Sequence, residues 1–175
     1  MAVSQTESTA LPYGREVTLY VMLSGVLAGL MITVLSAVCR VAGLMNFSLE
    51  RAFGTLLLGT SGPGSWIVGL VLHLAFSAIF ALLYAEGFRR MNLANARIGA
   101  AFGVVHWIAI GIFIGILPSL RPMMAATVSA PGPFALSLGY LGFFLLLAMH
   151  LIFGAVVGTA YKRMAHEHPE ILTAK

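Results

Sequence analysis

Four long apolar runs, each closed by basic or turn-forming residues, divide the chain. They cover residues 17–39, 66–88, 98–117 and 135–161, and they end near Arg40, at Glu86-Arg89-Arg90, at Pro118 and at Lys162-Arg163. Each meets the requirement of about 20 apolar residues for crossing the hydrocarbon core. The pattern therefore predicts an all-α membrane protein with four transmembrane helices over 17–163. Residues 1–16 are polar, with Pro12 and Gly14 as breakers, and predict a flexible tail; 164–175 predict a second one, in which His166-Glu167-His168 is a solvated cluster. The first run lacks a basic leader and is too long for a signal h-region of about 7–15 residues, so it reads as a helix that stays in the membrane.

Between the first two spans, Asn46, Ser48, Glu50 and Arg51 precede F-G-T-L-L-L-G (53–59) and the breaker run T-S-G-P-G-S (60–65). Ser48 is a suitable cap for a short helix. The apolar part is too short to span a bilayer, so this segment is expected at one membrane face, interfacial or re-entrant, as a lid on the bundle or a docking surface. The second long loop, P-S-L-R-P-M-M-A-A-T-V-S-A-P-G-P (118–133), holds Met123 and Met124. Two adjacent methionines without a nearby His or Cys are read as interface packing rather than a copper site.

A repeat links the spans. H-L-A-F-S-A-I-F-A-L-L-Y (73–84) returns as H-L-I-F-G-A-V-V-G-T-A-Y (150–161), 77 residues later. G-V-L-A (25–28) returns more weakly as G-V-V-H (103–106), 78 residues later. The spacing suggests two tandem helical hairpins related by a parallel internal repeat. On a 3.6-residue period Gly69, His73, Ser77 and Ala81 share one stripe, as do His150, Gly154 and Gly158. Small neighbours of this kind serve close helix contacts, as does the Gly25/Gly29 pair, but they also make room for a flat macrocycle. Tyr84 and Tyr161 are expected in an aromatic belt at the membrane interface.

Composition agrees with the pattern: 59% hydrophobic and 9% charged residues, against about 25% charged in soluble domains. The net charge of +4 does not indicate nucleic acid, because Lys and Arg stand at span ends. With the N-terminus inside, Arg15, Arg89, Arg90, Arg97, Lys162, Arg163 and Lys175 lie on the cytoplasmic side, against Arg40, Arg51 and Arg121 outside. That asymmetry predicts cytoplasmic termini. Cys39 is alone, which excludes an internal disulfide and a multi-cysteine metal site; it reads as a core residue. The spans contain no nucleophile, carboxylate pair or metal motif, so a non-catalytic subunit is expected over an enzyme or transporter.

Histidines at membrane depth remain. An ionisable residue there is a functional-site hypothesis. His73 and His150 share a sequence context on helices of equal direction, and equal depth would let them face each other across the repeat axis. His106 faces Ala28 in the other copy; it is a third ligand, a hydrogen-bond partner or a structural residue. G-L-V-L-H-L (69–74) and L-L-A-M-H-L-I-F-G-A-V-V-G-T-A-Y (146–161) resemble a family of small bacterial four-helix membrane proteins known only as a domain of unknown function. The resemblance implies a four-span fold in the bacterial inner membrane and no established activity. Two function classes follow from the residues. In the first, His73 and His150 are axial ligands of a tetrapyrrole, a b-type haem before a bacteriochlorophyll, in a subunit of a respiratory or photosynthetic redox complex. In the second, the chain is a cofactor-free accessory or assembly subunit packed against other membrane subunits.

Overall fold

The computed structural model describes residues 14–120 and 131–167. The tail at 1–13, Arg121, Met123, Met124 and the residues from His168 onward lie outside them. Among the described residues there are five α-helices and no strand: α1 (Arg15–Val41), α2 (Leu49–Leu58), α3 (Pro63–Met91), α4 (Ala96–Leu120) and α5 (Gly139–Glu167), with a 3-10 segment at Pro133–Leu138. α1, α3, α4 and the helical stretch containing α5 are each long and apolar enough to cross a membrane. This is an integral membrane protein.

The helices overrun the predicted spans by two to six residues at most ends, because termini can reach into the interfacial region around the core. The fourth differs more. The helix begins at Gly139 rather than 135, behind a break in which Phe134 and Ala135 adopt left-handed φ of 53° and 61°. What holds this strained entry is burial: the Phe134 ring packs 4.9 Å from Trp107 and fills the space that Gly111 leaves by lacking a Cβ. At the other end α5 continues to Glu167, with Met164 and Ala165 buried, so the expected second tail starts later than 164.

Pairings between rings and glycines fix the directions. Gly25 meets Ser77 and Ala81, Gly29 meets Ser77 and Leu74, and Thr33 meets His73, so α1 and α3 are antiparallel. Gly158 meets Asn95, Gly154 meets Gly99 and Gly103 meets His150, so α4 and α5 are antiparallel too. Tyr84 packs on Phe153 and Phe88 on Tyr161, so α3 and α5 run the same way. The two hairpins of the repeat are thus both present. Gly25 and Gly103, matched by the repeat, make the same kind of contact in each, with backbone against backbone where any Cβ would collide.

The small-residue stripes are therefore consumed by helix packing. Ser77 lies under Gly25 and Gly29, Gly69 under the Glu50 carbonyl, and Gly154 under Gly99. They do not clear a slot for a macrocycle. Between α3 and α4 the spacing is different. These two helices meet through rings, with Phe80 stacked on His106 and Phe102 against Tyr84 and Phe88. α1 and α5 approach each other more closely than α3 and α4 do, so the pseudo-symmetry is broken where the rings hold the helices apart.

The predicted short helix is α2. Ser48 caps it by accepting a hydrogen bond from the Arg51 amide at 3.3 Å, and left-handed Gly59 ends it. At ten residues it is about 15 Å long, half of what spanning needs. It lies on α3, where Gly54 touches Ser65 and Gly69 touches Glu50. That seat turns its first residues into the bundle.

Candidate functional site

α1, α2, α3, α4 and α5 together line a cavity of about 370 Å³ on the α2 side of the ring-packed zone. Its wall is largely phenyl and aliphatic. The polar exceptions are His73, His106, His150, Glu50, Ser36 and Ser77. Three of these are the histidines singled out from sequence, brought to one space from three helices.

Each imidazole is anchored through its Nδ1. His150 Nδ1 donates to the Leu146 carbonyl of its own helix at 2.7 Å. Because a carbonyl only accepts, that nitrogen carries the proton and Nε2 keeps a lone pair. His106 Nδ1 lies 3.3 Å from the Tyr84 hydroxyl. Tyr84 is 3% exposed, and among the described residues His106 is the one acceptor within reach of its phenol, so the O–H donates there and Nε2 of His106 carries the proton. His73 Nδ1 lies 3.1 Å from Thr33 Oγ1 and 3.9 Å from Glu50 Oε1. We assign the proton of this ring to Nδ1, with Thr33 as its acceptor, which leaves the lone pair on Nε2. The result is two lone pairs, on His73 and His150, and one N–H donor, on His106.

Glu50 was not recognised as a site residue from sequence. It is 1% exposed, and its Oε2 accepts from the Ser48 hydroxyl at 2.7 Å. Among the described residues no Lys or Arg pairs with it; His73 is the nearest group able to bear positive charge. The available signal was the isolated acid two residues after a cap, on a segment too short to span. Tyr84 departs from its expectation as well. Instead of lying in an interfacial belt it is wedged among Phe88, Phe102, His106 and Phe153, and Tyr161 is likewise buried. A phenol beside an imidazole finds a better partner than the bilayer surface.

The histidines do not meet as the repeat alone implied. His150 contacts His106, ring centroids 4.8 Å apart at 89°, and the other side of His106 stacks on Phe80 at 3.8 Å. Phe80 is seven residues past His73 on α3, so the His106/His150 pair sits about two turns, roughly 10 Å, along the bundle from His73. Among the described residues no cluster of His, Cys, Asp or Glu is close enough to chelate a bare metal ion.

No family model, no curated protein and no solved structure matches the chain. Function is to be read from this cavity.

Proposed function

We propose that the chain is a small subunit of a larger membrane redox complex and that its bundle holds a flat, lipophilic redox group in the three-histidine cavity. The supporting observation is a cavity lined by three histidines, in a wall that is apolar apart from them, Glu50, Ser36 and Ser77. Cavities of about 300–1,000 Å³ with few, converging polar groups are the usual form of a cofactor site. The low polarity of the spans argues against hydrolytic or group-transfer chemistry. The lipid-facing helices, the exposed Leu57 and Leu58 of α2, and the basic end around Arg89, Arg97 and Lys162 fit a bacterial inner-membrane protein with cytoplasmic termini and neighbouring subunits.

In the haem form of this proposal, His73 and His150 would hold a b-type haem, which would supply one-electron transfer when bound. The donor chemistry suits it. These are the two rings with lone pairs, and their Nδ1 protons face Glu50 and a carbonyl, the outer partners common behind metal-bound histidine. An absorbance spectrum of the protein purified with haem supplied and with its native partners tests it. A Soret band is expected, lost or converted to a five-coordinate form in His73→Ala and His150→Ala, and shifted only in potential by His106→Ala. Absence of a Soret band under those conditions removes the haem form.

A second reading is favoured by a specific observation. Every small-residue stripe beside the histidines is occupied by a helix of the same chain, and each Nδ1 already has a protein partner. A cofactor-free accessory subunit needs no more than that.

A further inference from the structure

The histidines of the cavity lie at two ends rather than on two faces of one plane. At one end is His73 with its Nε2 lone pair, backed by Thr33 and Glu50. At the other, roughly 10 Å along the bundle by helical rise, His106 offers an N–H and His150 a lone pair. Bis-imidazole ligation brings two lone pairs to one iron from opposite sides, and a two-turn stagger works against it. It also leaves the His106 donor unused.

A ligand that touches the site at its ends uses all three. The first end requires a group that donates a proton. The second requires one atom that both accepts, from His106, and donates, to His150. A hydroxyl oxygen does both. The rest of the lining includes Phe53, Phe76 and Phe113, which suit an aromatic body. A six-membered ring with oxygens para to each other spans about the required length once a hydrogen bond of about 2.8 Å is added at each end.

We infer that the occupant of the cavity is a membrane-soluble para-quinol, with one hydroxyl donating to His73 and the other held between His106 and His150. This rests on the redox reading above and names the class of group held. The tautomers make the site selective for the reduced form. A quinone carries no O–H, so its carbonyl oxygens would face the lone pairs of His73 and His150. Glu50 acts through His73: it is a positioning residue that keeps the proton on Nδ1. The fold seats it there by omitting two Cβ atoms, at Gly54 and Gly69, where α2 lies on α3.

The test uses the full chain in lipid nanodiscs with ¹⁵N-labelled histidine, titrated with decyl-ubiquinol and separately with decyl-ubiquinone. Saturable shifts of the His73, His106 and His150 ring nitrogens are expected, with the quinol bound about tenfold more tightly than the quinone, the equivalent of one good hydrogen bond. Glu50→Gln should move the His73 ring nitrogens even without ligand and weaken quinol binding about tenfold; Tyr84→Phe, on a different helix, should do the same through His106. If Glu50→Gln does not fold, Tyr84→Phe still decides. Equal binding of the two forms, or a bound quinol that leaves these rings unshifted, overturns the inference. Absence of quinol binding together with a Soret band when haem is supplied overturns it while the redox reading stands. Absence of both removes the two together.

Discussion

His73 and His150 occupy the same position of the repeat, yet their supports have nothing in common. His150 is bonded within its own helix, to a carbonyl that already accepts the helical hydrogen bond from its amide. His73 is held outward, hydrogen-bonded to a hydroxyl on α1 with the Glu50 carboxyl of α2 3.9 Å away. The first arrangement is available to any helical histidine. The second exists only because α2 is folded back onto α3, and the second hairpin has in that place the 3-10 segment with its buried Ala135 and its Phe134 ring against Trp107. The repeat thus preserves how helices touch, through Gly25 and Gly103, while the chemistry of the site comes from the segments between them. One hairpin supplies a supported, polar end of the cavity and the other supplies a self-contained pair.

The largest effects should fall on the contact that both hairpins share. Gly103→Leu and Gly25→Leu each force a side chain into a neighbouring backbone, and each is expected to destabilise the fold by about 1–3 kcal/mol. Gly64→Ala, which faces open space, should change nothing. Loss of helicity in a denaturant titration measures all three; tolerance of leucine at Gly25 but not at Gly103 would show that the hairpins are not packed alike.

Next comes the contrast between the histidines. His73→Ala leaves Glu50 and Thr33 without their partner in a buried setting, at an expected cost of about 1–3 kcal/mol. His150→Ala frees only a carbonyl that keeps its helical bond, so a smaller loss than that of His73→Ala is expected. Equal losses in the same titration would contradict the difference in their supports. Tyr84→Phe, which removes a single bond to His106, should cost about 0.6 kcal/mol, the average for a hydrogen bond between membrane helices, and leave the ring stack of Phe80 on His106 intact, readable from the His106 ring shifts. The smallest effect is expected at the far end of α3. Glu86 is paired with Arg89 and Arg90 in a solvent-facing cluster, so Glu86→Gln should leave the midpoint unchanged.

The sequence by itself determined what depends on local pattern. Run length and composition are enough for four spans, because a bilayer admits little besides uninterrupted apolar helices. Ser48 and Gly59 mark the ends of α2 through backbone rules that need no tertiary partner. The 77-residue echo was visible as two hairpins because glycine contacts recur at helical spacing. Left to the tertiary structure were the partners of each polar side chain. Glu50 and His73 are 23 residues apart and Thr33 and His73 are 40 apart, and periodicity along one helix carries no information about which residue of another helix faces it. Equal depth for His73 and His150 seemed to follow from the repeat, but depth is set by how the hairpins slide past each other. That slide is governed by the rings between α3 and α4, where Phe80, Tyr84, Phe102 and His106 have to interdigitate. The same packing turned Tyr84 from an expected surface anchor into the group that orients His106, since a buried hydroxyl goes wherever its hydrogen bond can be made.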